Sequence, residues 1–102
     1  MAETDKKTMS DADVKGALAE LPGWKSQGKS LAKQFDMKGF KAAMTFASTV
    51  GELADRADHH PDILIQFSKV TLTLSSHDAG GITDRDVRLA RQIEAAAKDQ
   101  LA

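Results

Sequence analysis

DILIQFSKVTLTL, residues 62–74, contains two runs in which side chains alternate between the two faces of an extended chain. The positions that share a face are Ile63, Ile65 and Phe67 in the first run, and Val70, Leu72 and Leu74 in the second. A period of two residues is typical of β-strands. The sequence therefore predicts two strands that meet near Ser68-Lys69.

These two strands must fold back on each other. If residues 62–75 formed one continuous strand, His60 and His77 would lie ~56 Å apart at ~3.3 Å per residue, whereas a domain of this length has a radius of gyration of ~13 Å. We therefore predict a hairpin centred on Ser68-Lys69, which returns His77 to the neighbourhood of His60. This pair is a poor two-residue turn, because neither residue is Gly or Asn.

The other elements are marked by their start and stop signals. Ser10 and Asp13 form a Ser-x-x-Asp helix start, and Pro22-Gly23 ends that first helix. Gly28 predicts the turn of a hairpin between residues 24–26 and 30–35. A helix is predicted over residues 39–57, and a last helix is predicted to begin after a Thr83 cap, with a buried face of Val87, Ala90, Ile93 and Ala97. This order predicts an α+β fold with helices on one face of an antiparallel sheet.

The helix at residues 39–57 has a wide apolar face. Its members are Phe40, Met44, Ala47, Val50 and Ala54, with Phe46, Leu53 and Ala57 beside them. This set spans about half of the helix circumference, more than the ~100° stripe that a single contact needs. The excess width predicts a second contact, with a partner subunit.

Composition narrows the class of protein. The 102 residues include no cysteine, which excludes disulfides, a thiol nucleophile and thiolate metal ligands. The net charge is −1, without the basic surface that direct nucleic-acid binding usually requires. Residues 1–9 are polar, so we expect a flexible N-terminal tail without a signal peptide or membrane span. Residues 10–102 are expected to form a single domain of a cytoplasmic protein.

All three histidines of the chain lie between positions 59 and 77. Unperturbed imidazole titrates near neutrality, so His59, His60 and His77 can donate or accept protons at cellular pH. Pro61 disfavours helical backbone at His60, which places the pair at a helix-to-strand junction. Asp55, four residues before His59, is expected to orient the His59 ring. A solvated junction and a zinc or iron site are the alternatives to an acid–base site.

A longer pattern connects these residues. It runs from an acidic residue through three positions, His-His-Pro, five positions, an aromatic residue, nine positions, His, eight positions and Asp. It is filled by Asp55, His59, His60, Pro61, Phe67, His77 and Asp86. In this pattern, and in Gly23-Trp24, Lys33-Gln34-Phe35 and Thr83-Asp84-Arg85-Asp86 around it, the chain resembles the pterin-4a-carbinolamine dehydratase family over roughly residues 10–100.

The resemblance implies both a fold and an activity. The fold is a four-stranded antiparallel sheet with three helices packed on one face, and the assembly is a homodimer or homotetramer. The activity is dehydration of 4a-hydroxytetrahydrobiopterin to quinonoid dihydrobiopterin, in tetrahydrobiopterin recycling after an aromatic amino acid hydroxylase. The resemblance implies no metal and no cofactor, and a pterin as the small-molecule partner.

The resemblance also implies residue roles. His59 and His77 are expected to be the acid–base pair, and His60 is expected to bind and position the pterin. The implied catalytic set is His59, His60, His77, Asp86 and Asp55, and the implied substrate contacts are Asp58, His59, His60, Ser75, Ser76, His77 and Asp78. Two positions depart from the family: Asp55 replaces a more frequent glutamate, and Phe67 stands where a tyrosine is common. Neither departure removes a histidine.

Several alternatives stay open at this point. Asp86 stands three residues after Thr83, so helix capping is an equal alternative to a catalytic role. Trp24 and Phe67 are expected in the core or a pocket wall. The whole protein has two alternatives: a noncatalytic dimerisation or coactivator-type binding module, as some animal relatives stabilise a transcription factor, and a small His/carboxylate metal-binding protein.

Overall fold

The computed structural model describes residues 7–98, 100 and 101. Within this range the helices are α1 Asp11–Leu18, α2 Phe40–Ala57 and α3 Asp84–Ala97, and the strands are β1 Lys25–Gln27, β2 Ser30–Asp36, β3 Asp62–Gln66 and β4 Lys69–Leu74. The strands pair antiparallel in the spatial order β1-β2-β4-β3. The predicted α+β fold and its element order are confirmed.

The core lies between the helices and one face of the sheet. From the sheet it takes alternate residues of β2 and β4, namely Leu31, Phe35, Val70, Leu72 and Leu74, each no more than 1% exposed. From the helices it takes Val14, Phe46, Val50, Val87 and Ile93, among others. The opposite sheet face is open, with a shallow cavity lined partly by Gln34, Thr71 and Thr73. Period-two alternation thus gives the sheet one buried face and one solvated face.

The β3–β4 hairpin turns one residue earlier than predicted. Gln66 pairs with Lys69, so the turn is Phe67-Ser68 and not Ser68-Lys69. Phe67 adopts a φ of 53°, an uncommon conformation for a bulky residue. The register explains why this turn is used, because a slip of one residue would move buried Val70 to the open face. Phe67 is 72% exposed, so its predicted place in the core or a pocket wall is wrong, whereas Trp24 is buried as predicted.

The buried stripe of α2 differs from the predicted apolar face. It consists of Ala43, Phe46, Val50 and Ala54. Phe40 and Met44 are instead 53% and 48% exposed. The core takes one stripe at three- and four-residue spacing, which leaves the apolar residues beside it at the surface. The second contact inferred from this width stays a prediction.

The start of the folded chain lies before residue 10. Ser10 caps α1 as predicted, with its Oγ accepting a hydrogen bond from the Asp13 N–H at 3.1 Å. Thr8 forms a bridge with Thr83, and the Met9 N–H donates to the Ile82 carbonyl at 2.8 Å. Residues 1–6 of the predicted tail lie outside the described residues. No helix of the described chain is long and apolar enough to cross a membrane.

Glu94 of α3 bonds to Lys33 of β2 and to Trp24, the residue that precedes β1. Its Oε2 accepts hydrogen bonds from Trp24 Nε1 at 2.8 Å and from Lys33 Nζ at 2.6 Å. The same Lys33 ammonium donates to the Pro22 carbonyl at 2.8 Å and lies 4.6 Å from the centre of the Phe35 ring. One half-buried carboxylate therefore satisfies two donors that belong to different elements.

We expect Glu94→Ala to lower the free energy of unfolding by about 2 kcal/mol, because it removes the acceptor of two partly buried donors. Urea denaturation measures this change. The control is Glu52→Ala, which removes an exposed carboxylate 3.9 Å from Arg56 and should change stability by less than about 0.5 kcal/mol. Equal losses in the two variants would contradict the role given to Glu94.

Candidate functional site

The end of α2 determines where the two adjacent histidines lie. Asp58 adopts a left-handed conformation with a φ of 50°. Its N–H donates to the Asp55 carbonyl at 3.2 Å, and the His59 N–H donates to the Ala54 carbonyl at 3.1 Å. These two bonds form a Schellman motif, which closes the helix. The helix therefore ends before the histidine pair, as Pro61 predicts.

His59 points into the helix layer. It is 8% exposed, and its Nε2 lies 2.5 Å from Oδ1 of Asp86. Asp86 is fully buried, and its other oxygen accepts hydrogen bonds from the Ser76 hydroxyl and from the Thr83 N–H, both at 2.9 Å. One carboxylate thus connects the end of α2, the loop after β4 and the start of α3. The Thr83–Asp86 capping box is present, so Asp86 is a helix cap that also holds His59.

His60 points away from that buried cluster. Its side chain is 59% exposed, and its Nε2 lies 2.8 Å from Oδ1 of Asp55. The prediction that Asp55 orients His59 is therefore wrong, because Asp55 pairs with His60. Successive residues of an extended chain point to opposite sides, so neighbouring imidazoles face different surroundings. The two histidines each have a carboxylate partner, one buried and one exposed.

His77 lies in the turn that follows β4. The Ser76 N–H donates to the Gly81 carbonyl at 3.1 Å, which closes the turn around His77. His77 is exposed, with its Nε2 3.4 Å from the Ser75 hydroxyl. His60 lies two residues before Asp62, the first residue of β3, and Asp62 pairs with Thr73 near the end of β4. The hairpin thus brings His60 and His77 to the same end of the sheet.

An open cavity of about 490 Å³ lies at this end of the sheet. Its polar lining includes His77, Ser75, Ser76, Asp62, Thr73, Lys29 and Ser30. The sequence predicted His77 and the two serines that precede it as site residues, but not Thr73, Lys29 or Ser30. These residues could have been predicted only from the strand register. The register places Thr73 beside Asp62, and it places the β1–β2 turn beside the start of the loop after β4.

The remaining predicted site residues do not line this cavity. Asp58 is exposed at the end of α2. Asp78 lies 2.6 Å from a guanidinium nitrogen of Arg85. His59 lines a separate cavity of about 290 Å³, together with Arg85 and Arg88. The structure therefore divides the predicted residues between an open group around His60 and His77 and a buried group around His59.

The metal-binding alternative requires several ligands that converge on one point. Across residues 7–98, 100 and 101, no three His, Asp or Glu side chains are grouped so that they could hold an ion. The nearest arrangements are the two separate pairs, His59 with Asp86 and His60 with Asp55. The described residues thus give this alternative no donor set.

Residues 7–96 match the family model described as pterin 4 alpha carbinolamine dehydratase. The chain belongs to this family. A provisionally named pterin-4-alpha-carbinolamine dehydratase of Thermomicrobium roseum is 47% identical over 85 residues, which cover 83% of this chain and 91% of the relative. One of Roseiflexus sp., also provisionally named, is 46% identical over 86 residues, covering 84% and 92%.

Two solved structures resemble the chain. The first is a transcriptional coactivator/pterin dehydratase from Brucella Melitensis, with a TM-score of 0.86, 28% identity and coverage of 89% of this chain and 99% of that one. The second is a pterin dehydratase-like RuBisCO assembly factor of the alpha-carboxysome, with a TM-score of 0.60, 20% identity and coverage of 72% and 86%. The second likeness concerns the fold alone. The family therefore supports a dehydratase, while the described roles of its relatives extend beyond catalysis.

Proposed function

We propose that this protein dehydrates a pterin-4a-carbinolamine, 4a-hydroxytetrahydrobiopterin or a close analogue, to the quinonoid dihydropterin and water. The observation that carries the proposal is exposed His77, which lines a cavity of about 490 Å³ together with Asp62, the residue two positions after exposed His60. A cavity of this size suits a small heterocyclic ligand. Family membership supports the same reaction.

The reaction needs one proton donor and one proton acceptor. The bond from C4a to the hydroxyl oxygen breaks as an acid protonates the departing oxygen, and a base removes the N5 proton as the C4a=N5 double bond forms. The products are water and the quinonoid dihydropterin, so no electron acceptor is required. Imidazoles are suited to both tasks near neutral pH. Because His60 and His77 are exposed, both regain their starting protonation by exchange with solvent.

We assign the proton transfers to His60 and His77, with Asp55 orienting the His60 ring. His59 becomes a positioning residue, because its ring is buried and its Nε2 is committed to Asp86. This assignment exchanges the roles of His59 and His60 relative to those implied by the family resemblance. The basis is exposure, since a proton carrier must reach the reacting atoms.

The substrate contacts and the cellular setting follow from the same proposal. Ser75 and Ser76 line the cavity, and we assign them to pterin contacts together with Asp58 and Asp78. We place the reaction in the cytoplasm, where it recycles tetrahydrobiopterin used by an aromatic amino acid hydroxylase. A homodimer or homotetramer is supported by the exposed Phe40 and Met44 of α2 and by exposed Ile63 on edge strand β3.

A coupled assay tests the activity. A 4a-hydroxytetrahydropterin is generated in place, and its loss is followed with and without catalytic amounts of the wild-type protein. We expect the protein to shorten the lifetime of the carbinolamine by at least about 100-fold over the spontaneous reaction. The same rate with and without protein would reject the dehydratase proposal.

The noncatalytic binding module is the second candidate, favoured by the exposed Phe40 and Met44 side chains. It predicts no acceleration of dehydration and a protein complex that Phe40→Ser with Met44→Ser disrupts. If the wild type accelerates dehydration and the variant with both substitutions accelerates it equally, the activity depends on the histidine site and not on the α2 surface.

A further inference from the structure

We propose that this site also takes, and prefers, pterins with a longer substituent that ends in an anionic group, phosphate or carboxylate, and that lies across the open face of the sheet. The proposal rests on the proposed function and names the substrate class of that site. It starts from the cavity beside His77 and a neighbouring cavity on the open face of the sheet. Thr73 lines both cavities, and the second has a volume of about 350 Å³.

The strand register connects the two cavities in a straight row. Thr73 pairs with Asp62 of β3 on one side and with Ala32 of β2 on the other, and Ala32 pairs with Lys25 of β1. Asp62, Thr73, Ala32 and Lys25 therefore cross all four strands side by side. At ~4.8 Å between neighbouring strands, this row is ~14 Å long. It runs from the histidine end of the site to the β1 edge of the sheet.

Small side chains form the middle of this path. Thr73 and Ala32 occupy the row itself, and Ser30 and Ser75 line the first cavity beside it. Longer side chains, among them Lys25 and Gln34, also line the second cavity. The cavity of about 490 Å³ leaves space beyond a bicyclic pterin ring, and pockets of this size accommodate drug-sized ligands.

Charge changes sign along the row, from Asp62 on β3 to Lys25 on β1, and Lys29 lines the same first cavity as Asp62. Asp62 lies at the histidine end, where its carboxylate can accept hydrogen bonds from the amino group and ring N–H of a pterin. Lys29 lines the first cavity and Lys25 lines the second, and both lysines are exposed. Lys33 also lines the second cavity, but its ammonium is bound to Glu94. A ligand with a donor-rich ring at one end and an anion at the other matches this order.

The test compares two 4a-hydroxytetrahydropterins that differ in one phosphate ester on an otherwise identical polyhydroxypropyl substituent. We expect the wild type to have a kcat/KM about tenfold higher for the phosphorylated substrate, because two exposed ion pairs contribute up to ~1 kcal/mol each. In Lys25→Gln with Lys29→Gln the ratio of the two kcat/KM values should fall to about 2 or less. A third substrate with a terminal carboxylate shows which anion is preferred.

The control is Lys41→Gln with Lys98→Gln, which changes net charge equally at two exposed lysines that line neither cavity. It should keep the wild-type ratio. Equal kcat/KM for all three substrates in the wild type would overturn this inference and leave the dehydratase proposal standing. The inference is also overturned if the control lowers the ratio as much as the cavity variant. Failure to dehydrate any of the substrates would reject the dehydratase proposal, and this inference with it.

Discussion

Replacing both exposed histidines, His60→Ala together with His77→Ala, is expected to return dehydration to the rate measured without protein. Each proton transfer by a positioned side chain contributes about 10²–10⁴-fold, and the double variant removes both. The measurement is stopped-flow decay of a 4a-hydroxytetrahydropterin at equal concentrations of variant and wild type. The single variants should each lose at least about 100-fold, and their losses need not add, because the two residues serve one reaction.

The double variant should keep its fold. His60 and His77 are both exposed, and substitutions at such positions usually change the free energy of unfolding by no more than about 0.5 kcal/mol. A urea unfolding curve that matches the wild type confirms that lost activity is not lost structure. If the double variant retains more than about a tenth of wild-type activity, the proton transfers occur elsewhere.

Asp86→Ala should have the largest effect on stability, with a loss of about 3–5 kcal/mol in the free energy of unfolding. The carboxylate is fully buried and accepts hydrogen bonds from the Ser76 hydroxyl and the Thr83 N–H, while its other oxygen meets His59. Its removal leaves three largely buried polar groups without this partner. Equilibrium urea denaturation measures the change.

Asp84→Ala is the matched control for Asp86→Ala. It removes a carboxylate from the same first turn of α3, but this one is exposed and lies 3.2 Å from the Arg88 guanidinium. We expect a loss of less than about 1 kcal/mol, because exposed ion pairs and helix-dipole contacts are weak. Similar losses at positions 84 and 86 would mean that Asp86 acts only through its charge at the helix start.

Local sequence signals alone predict two helix caps and the first hairpin turn. Ser10 and Thr83 are helix caps, and Gly28 lies in the first hairpin turn. The second hairpin was misplaced by one residue because neither Ser68-Lys69 nor Phe67-Ser68 has typical turn chemistry. The register is determined by burial of alternate β4 residues against the helices. This packing involves residues distant in sequence, so the local preferences of turn residues do not predict it.

The sequence predicts a set of candidate site residues but not how their side chains are arranged in space. Helical spacing predicts that Asp55 contacts His59. In the structure the Schellman motif at Asp58 ends the helix before the histidines, and Asp55 contacts His60 instead. The sequence alone does not decide between a cap and a site role for Asp86, whereas in the structure one of its oxygens caps α3 and the other contacts His59. The apolar width of α2 was recognised, but composition alone did not show which stripe faces the sheet.

The division between the two adjacent histidines is tested by one comparison, the kcat/KM per folded molecule of His59→Gln and His60→Gln. We predict that His60→Gln loses at least about 100-fold, since it removes a proton carrier. His59→Gln should stay within about tenfold of wild type and unfold at a lower urea concentration, because its ring is buried against Asp86. A large loss for His59→Gln with near-normal activity for His60→Gln would contradict the assignment and make the buried histidine the proton carrier.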